Sequence, residues 1–281
     1  MKDSCVVAFS DNIVCSSGTM PSALNRPYDD ITAIFEVASR IPIAQLELVL
    51  HPQWRVTGPK LLPWYRHIAR IFGEMERTKT RIQSVHAYRD LGVFLSAPEA
   101  GSRALGKRLL EQTILAAKYL RADQVVLHGW NTWSPDLCLE EAVTIIGAMA
   151  KAHPDIHLSL ENIPVSARDW SQFRLLAWML NRPDSRVGFT LDLSWSSLYD
   201  NFSCLLEFLP YLTNVHVQAE LVESSEGKHF RPRYGGLHVE GAIKCLVGSG
   251  YQGPWTLELN PAGRISDFRR ALKYLQHWVN D

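Results

Sequence analysis

Four short apolar runs in the second half of the sequence each end in a side chain that can bind a metal ion or transfer a proton. These side chains are Glu161, Asp192, His216 and Glu258. Charged and imidazole groups are costly to place at the end of a buried strand unless something pairs with them. Prolines follow two of the runs, at Pro164 and Pro261, and a central strand cannot continue through proline. The pattern predicts that the four side chains converge on one site.

Three carboxylates and one imidazole at one point indicate a metal site. Like charges that close together raise each other's pKa, and a divalent cation removes that cost. Oxygen-rich ligation with one imidazole suits Mn²⁺, Mg²⁺ or Co²⁺, and Zn²⁺ is also acceptable. A single acid at a strand end is more often a helix cap or a surface group. The prediction of one divalent metal ion therefore rests on the ordered set of four.

The elements that would position these residues alternate between strand and helix along the chain. Strands are predicted at 6–10, 45–50, 82–86, 125–128, 158–161, 187–192, 213–216 and 255–258. Helices are predicted at 31–40, with Asp29 or Asp30 as the cap, 64–75, 101–121, 139–152, 169–180, 203–209, 239–248 and 265–279, and long loops at 11–27 and 219–238. Eight strands, each followed by a helix, predict an α/β fold: one closed (β/α)8 TIM barrel over residues 1–281. The alternative, an open doubly wound sheet, usually carries a glycine-rich phosphate loop after the first strand, and this sequence has none there.

The amino-acid composition and charge of the chain limit which kinds of molecule it is expected to bind and where it is expected to lie. The chain has 281 residues with 46% hydrophobic and 21% charged residues, as in ordinary globular proteins. Its 29 basic residues balance its 29 acidic residues, which argues against nucleic acid as a partner. Five scattered cysteines indicate reduced thiols, and no apolar run has the length of a signal peptide or a membrane span. We therefore expect a cytoplasmic protein with no membrane partner, and homo-oligomerisation stays open.

The motifs, taken in order, resemble the xylose isomerase-like TIM-barrel superfamily, which includes sugar epimerases and isomerases, dehydratases and AP endonuclease family 2 proteins. The matching segments are 84–87 (SVHA), 126–129 (VLHG), 161–164 (ENIP), 191–193 (LDL), 215–217 (VHV) and 250–259 (GYQGPWTLEL). The resemblance spans nearly the whole chain, and the last segment is the most specific. For the epimerase-like branch it implies that Glu161, Asp192, His216 and Glu258 hold one metal ion.

The endonuclease IV-like branch makes a second comparison possible, because its members bind three zinc ions. His86 and His128 match the positions of two additional histidine ligands. The third zinc requires a histidine where this chain has Trp195, and an Asp-Arg-His triplet where it has Gly227-Lys228-His229. Only His229 of that set is present, so the resemblance argues against a complete three-zinc phosphodiesterase site. His86, His128 and His229 remain candidates for a second metal or for contacts with substrate.

We therefore predict a metal-dependent isomerase or epimerase acting on a sugar, keto-sugar or keto-acid in carbohydrate metabolism. The reaction would pass through a metal-stabilised enediolate, with Glu161 and Glu258 as catalytic acid and base. Three alternatives stay open: an endonuclease IV-like AP endonuclease acting on DNA, a dehydratase of the same superfamily, and a non-catalytic barrel that binds a metabolite.

Contacts with substrate are predicted from residues just beyond the strand ends. Trp130, Trp133 and Trp195 would form an apolar wall, although aromatic residues there are also common in packing. The basic residues of the predicted loop at 219–238 would bind a carboxylate or phosphate, or would simply be solvated. They are Lys228, His229, Arg231 and Arg233. Glu47, inside the second strand, is interpreted as a structural or rim residue.

Overall fold

The computed structural model describes residues 12–54, 62–182, 187–225, 227–261 and 263–280, and shows a parallel barrel surrounded by helices. The strands are β1 (Ile13–Ser16), β2 (Gln45–Val49), β3 (Arg81–His86), β4 (Gln124–Leu127), β5 (His157–Glu161), β6 (Val187–Asp192), β7 (Leu212–Ser224), β8 (Gly227–Pro232) and β9 (Trp255–Leu259). The helices are α1 (Ile31–Arg40), α2 (Leu62–Thr78), α3 (Leu91–Leu95), α4 (Ala100–Tyr119), α5 (Leu139–Ala152), α6 (Gln172–Leu180), α7 (Leu193–Leu198), α8 (Phe202–Leu205), α9 (Val239–Gly248) and α10 (Ile265–Asn280). Short 3-10 helices cover Ser17–Leu24, Pro52–Trp54 and Leu206–Tyr211.

Eight strands close the barrel in the order β1-β2-β3-β4-β5-β6-β7-β9. β9 completes the ring because it pairs in parallel with both β1 and β7. β8 stands outside the ring and pairs only with β7 among the described strands. The prediction of a (β/α)8 barrel is confirmed, and no ring strand keeps a free edge.

The barrel strands are buried on both faces, as parallel strands covered by helices must be. β4 is buried at every position, and β6 at all but one. The amide of Asn214 on β7 donates to the carboxylate of Glu47 on β2 over 3.2 Å. Since β2 and β7 are not neighbours in the sheet, this hydrogen bond crosses the barrel interior. The interior near the site is therefore partly polar.

The first strand lies outside the predicted position. The predicted loop at 11–27 is wrong, because Ile13–Ser16 forms β1 and Ser17–Leu24 a 3-10 helix. The predicted strand at 6–10 lies outside the described residues. Four residues are too few to show an alternating pattern, so pairing with β2 and β9 decides the conformation of β1.

The predicted loop at 219–238 is also wrong over most of its length. β7 runs on past the barrel and folds back through β8 as an antiparallel hairpin, with Ala219 opposite Pro232 and Ser224 opposite Gly227. Glu220 lies opposite Arg231 in this pairing, and opposite charges across a strand pair stabilise it. The polar composition that indicates a loop also suits an exposed two-stranded ribbon.

The remaining differences concern helices. α3 and α7 were not predicted, and the helix expected at 203–209 is the short α8 followed by a 3-10 helix. The helix expected from 169 begins at Gln172, where the Ser171 side chain caps it. In the described part of the chain, no helix combines the length and apolarity needed to cross a bilayer.

Candidate metal and active site

The structure brings the four strand-end residues together at one mouth of the barrel. Glu161 ends β5, Asp192 ends β6 beside His216 of β7, and Glu258 lies on β9. His216 Nδ1 is 3.8 Å from Glu258 Oε1 and 4.0 Å from Glu161 Oε2. The carboxyl ends of the strands are where TIM barrels place their active sites.

Two buried atoms in this cluster have no hydrogen-bond partner among the described residues, namely Asp192 Oδ2 and His216 Nδ1. The other oxygen of Asp192 accepts from the Trp195 amide over 2.8 Å and caps α7. Buried polar atoms left unpaired cost free energy and require an explanation. A carboxylate oxygen and an imidazole nitrogen are both ligands for divalent cations, so these residues fit a metal ion.

The pKa shifts of Asp192 and His216 show that the clustered carboxylates favour a positive charge beside them. Burial, followed by the charges of Glu161 and Glu258, raises the pKa of Asp192 well above its ordinary value. Burial disfavours charge on His216, but the carboxylates of Glu47 and Glu258 outweigh it and raise the pKa of His216 well above normal. A proton and a metal ion therefore compete for this imidazole.

Glu161 accepts hydrogen bonds from three side chains. His86 Nε2 and His128 Nε2 lie 3.1 and 3.2 Å from Oε2, and the Trp195 indole donates to Oε1 over 3.1 Å. Burial would raise the pKa of Glu161, but the charge and hydrogen bond of His128 and the hydrogen bond of His86 hold it well below the ordinary value. The carboxylate is thus kept ionised and in one orientation.

The surroundings of His86 favour its protonated form. Its Nδ1 lies 2.9 Å from the Ala87 carbonyl and its Nε2 faces the Glu161 carboxylate, so both nitrogens must donate. Burial lowers the tendency of His86 to hold a proton, yet the hydrogen bond and charge of Glu161 raise its pKa to about 9. His86, Glu161 and His216 do place ligand atoms within 4.8 Å of one another. A second metal there would have to displace the His86 proton.

Glu47 is completely buried inside the barrel, which agrees with the structural role among its two predicted roles and excludes a position at the rim. Its Oε2 accepts from Ser84 Oγ over 2.9 Å and from His216 Nε2 over 3.2 Å, besides the Asn214 amide. Burial would raise the pKa of Glu47, but the charge and hydrogen bond of His216 keep it below normal. Donation from Nε2 turns His216 Nδ1 towards Glu161 and Glu258, which is how carboxylates orient metal-binding histidines.

Asn162 fixes the ends of β5 and β6 and was missed as a site residue. Its Oδ1 accepts from the Asp192 amide over 2.6 Å, and its Nδ2 donates to the Asp192 carbonyl over 3.0 Å. Gln172 of α6 in turn donates to the carbonyls of Asn162 and Ile163. The sequence does contain a sign of this role. Asn162 is a polar residue between Glu161 and Pro164, at the point where the chain must leave the sheet.

A cavity of about 340 Å³ opens above the cluster, near the lower end of the range for small-molecule sites. Glu161 and Glu258 line it, together with His86 and His128. Gln218 Nε2 holds Glu258 Oε2 at 2.9 Å, and Glu258 keeps 16% of its side chain exposed. The cavity therefore gives a small molecule access to both glutamates.

The three tryptophans of the predicted aromatic wall lie at the cavity, and their contact with a substrate stays a prediction. Trp130, Trp133 and Trp195 all line the cavity. Trp130 is 1% exposed and its indole donates to the Pro164 carbonyl over 2.9 Å, whereas Trp133 is 77% exposed. Trp195 stacks on Tyr234 with ring centroids 5.0 Å apart.

The basic residues of the hairpin are not brought to the cavity, with one exception. Lys228 lies 3.4 Å from Glu223, Arg231 pairs with Glu220, and His229 lies opposite Val222 within β7–β8. None of these three is among the described residues that line the cavity. A contact between substrate and Lys228, His229 or Arg231 therefore has no support, because the hairpin carries them outward. Arg233, at the base of the hairpin, and Arg89, which sequence reasoning missed, do line the cavity.

The closed parallel barrel defines the chain as a TIM-barrel protein. Its acids and imidazoles surround one cavity at the carboxyl ends of the strands, which is the face where TIM barrels carry their active sites. Within this class, the chain belongs to the family described as xylose isomerase-like TIM barrel, which matches residues 35–278. The resemblance found in the sequence motifs is thereby confirmed. A comparison with curated proteins found no match.

Three solved structures show the likeness of fold. D-allulose 3-epimerase from Methylomonas sp. is 14% identical with a TM-score of 0.69, over 96% of this chain and 99% of that one. A D-tagatose 3-epimerase-like protein is 18% identical with a TM-score of 0.68, over 96% and 98%. An AP endonuclease, family 2, from Brucella melitensis is 18% identical with a TM-score of 0.66, over 94% and 98%. At these identities the likeness establishes the fold, and activity must be argued from the site.

Proposed function

We propose that the protein is a divalent-metal-dependent isomerase or epimerase of a sugar or keto-sugar. The observation that carries this proposal is the pair of buried, unpartnered ligand atoms, Asp192 Oδ2 and His216 Nδ1, beside the carboxylates of Glu161 and Glu258. Structural likeness to D-allulose 3-epimerase and a D-tagatose 3-epimerase-like protein supports the same class of substrate.

The metal ion would be Mn²⁺, Mg²⁺, Co²⁺ or Zn²⁺, held by Glu161, Asp192, His216 and Glu258. When bound, it would polarise a carbonyl and the neighbouring hydroxyl of the substrate and so make the C–H bond between them more acidic. Glu47 and Asn162 orient two of the ligands through the hydrogen bonds described above.

Glu161 and Glu258 are the proposed acid and base. They come from β5 and β9, which are separated in the barrel by β6 and β7, so their carboxylates approach the cavity from different sides. One removes a proton from the carbon next to the carbonyl, and the other returns a proton. Return to the opposite face of the same carbon gives an epimer, and return to the neighbouring carbon gives an isomer.

The surrounding side chains prepare the two glutamates for these roles. His86 and His128 hold Glu161 ionised and in place through Oε2. Gln218 positions Glu258 through Oε2 while leaving Oε1 towards His216. Trp130 and Trp195 line the same cavity, and the Trp195 indole also holds Glu161 through Oε1. The carboxylates are thus oriented before a substrate enters, and orientation of this kind is a large part of catalysis.

Metal content measured on protein purified without an affinity tag tests the metal site. We expect about one divalent ion per chain, lost in a double variant Glu161→Gln/Asp192→Asn that still folds by circular dichroism. Failure to find a metal, with none taken up from Mn²⁺, Co²⁺ or Zn²⁺, would overturn the proposal. Two or three zinc ions per chain would instead favour a metal-dependent phosphodiesterase, the activity for which His86 and His128 on Glu161 are the supporting observation.

A second experiment tests the acid–base pair in the metal-loaded protein. Ketohexoses are incubated in ²H₂O, and proton exchange and epimer formation are followed by NMR. Glu258→Gln should abolish epimer formation, because the amide can neither remove a proton nor return one on its face of the substrate. Glu223→Gln, on the exposed hairpin, is the matched control and should keep full activity. Turnover that survives Glu258→Gln would remove the role assigned to this residue.

A further inference from the structure

We propose that the substrate carries an anionic group, a carboxylate or a phosphate, and that Arg233 binds it at the mouth of the cavity. This inference rests on the proposed function, which assigns the same cavity to the substrate and a metal ion to the acid cluster. It deepens that function because it separates sugar acids and sugar phosphates from neutral ketoses.

Arg233 is held in place at both ends. Its amide donates to Ser194 Oγ over 2.8 Å, which fixes the backbone at the base of the hairpin. Its guanidinium carbon lies 5.2 Å from the centre of the Tyr234 ring. Tyr234 stacks on Trp195 at an interplanar angle of 17°, and Trp195 donates to Glu161. A continuous stack thus connects the arginine to the acid cluster.

The guanidinium of Arg233 has no anionic partner in the described part of the chain, although its neighbours do. Lys228 and Arg231, on the same hairpin, pair with Glu223 and Glu220. Arg233 lines the cavity instead. A guanidinium offers five donors in a planar fork that matches carboxylate and phosphate oxygens, and stacking on an aromatic ring reduces the entropy lost on binding.

Arg89 adds a second positive charge on the other side of the cavity. It follows β3, and three strands separate β3 from β7 in either direction around the barrel, so the two arginines approach from opposite walls. Asp90, the next residue in the chain, is an acid that also lines the cavity. For this reason Arg233, and not Arg89, is assigned as the anchor.

The position of Arg233 also explains how an anion could be accepted beside several carboxylates. Glu161 and Glu258 lie at the strand ends, where a metal ion would offset their charge, whereas the Arg233 guanidinium lies over Tyr234, whose ring stacks on Trp195. A sugar with its carbonyl end at the cluster would present its other end to the arginine. The anionic group therefore belongs on the carbon furthest from the carbonyl.

Calorimetric titration of the Mn²⁺-loaded protein with three probes tests this inference. The probes are D-fructose, D-fructose 6-phosphate and 5-keto-D-gluconate. We expect at least one anionic probe to bind about 10- to 100-fold more tightly than D-fructose, and salt to weaken that preference. The better of the two anionic probes distinguishes phosphate from carboxylate. Arg233→Gln should remove the preference, and the matched control Arg231→Gln should keep it.

The outcomes separate this inference from the proposed function. Equal binding of neutral and anionic probes, or an unchanged preference in Arg233→Gln, overturns the anion site even if D-fructose is epimerised. A preference that depends on Arg233, in a protein that turns over no ketose, supports the anion site while the proposed function fails. Folding of both variants is checked by their thermal unfolding.

Discussion

Glu47 lies behind the candidate ligands, yet it governs the orientation of one of them. Its carboxylate receives the Nε2 proton of His216 and is itself held by Ser84 and Asn214. Because one imidazole nitrogen is occupied in this way, the other must face Glu161 and Glu258. A side chain outside the cavity lining thus determines which atom of His216 is offered to a metal ion.

Glu47→Gln tests this role at the level of one residue. The amide is nearly isosteric but accepts more weakly, and its NH₂ group can turn towards the imidazole. We expect metal affinity to fall by about 10- to 100-fold with the fold retained. Losses of this size are usual when a residue that hydrogen-bonds to a metal ligand is replaced. Competition with a chelating dye measures the affinity. Lower stability with unchanged affinity would show that Glu47 acts only in packing.

The site residues differ in how far the sequence reveals them. Glu161, Asp192, His216 and Glu258 were predictable because each ends an apolar run, a local and costly arrangement. The pairing of Glu47 with His216 was not, because the two residues are 169 positions apart and meet only across a closed barrel. Arg89 gave no local signal, since an exposed arginine after a strand is ordinary.

Helix α1 shows an element whose start the sequence identifies to within one residue. Asp29 and Asp30 were equal candidates for its cap, and the structure selects Asp30, whose Oδ1 accepts from the Ala33 amide over 3.1 Å. Arg26 also pairs with Asp30 at 2.6 Å. The choice depends on backbone angles that neighbouring identical residues do not reveal.

Asp30→Ala should lower the free energy of unfolding by about 1 kcal/mol, the usual cost of losing a helix cap. Urea unfolding measures the change, and Asp29→Ala is the matched control, expected to have little effect. Burial would raise the pKa of Asp30, but the hydrogen bond from the Ala33 amide and the pairing with Arg26 hold it below the ordinary value. The stabilisation is therefore complete above the unfolded-state pKa and disappears as pH falls through the folded-state value, so the two variants should converge in acid.

The hairpin β7–β8 shows an element that composition cannot distinguish from a loop. Residues 219–238 are polar and contain glycine, which suits both a solvated segment and an exposed ribbon. The ribbon forms because β7 already leaves the barrel as a strand and continues its pairing into β8. A similar reason applies to β1, whose four residues become a strand only through their neighbours in the ring.

At the scale of the whole molecule, the alternation of strand and helix was sufficient to predict the barrel. Eight repeats leave few other ways to cover every strand on both faces. The closed barrel was predicted, but the register of the strand pair that closes it, Ile13–Cys15 against Trp255–Leu257, was not readable. Pairing between the two ends of a sequence leaves no local pattern.

Metal binding should stabilise the whole barrel, since the proposed ligands come from four of its strands. At a free concentration 100 times Kd, a ligand specific for the folded state adds about 2.7 kcal/mol. We expect Mn²⁺ to raise the Tm by several degrees in differential scanning fluorimetry, and EDTA to reverse the shift. Asp192→Asn should lose the response. An equal shift in that variant would place the binding elsewhere.

The register of β9 between β1 and β7 has a consequence for the order in which the protein is made. During synthesis on the ribosome, β1 emerges early and then waits on the order of tens of seconds for β9. Until then both β1 and β7 present unpaired edges, which chaperones can occupy. Glu258 arrives on the same strand. A nascent chain therefore cannot complete the acid cluster before the barrel can close, so truncated translation products lack the assembled site.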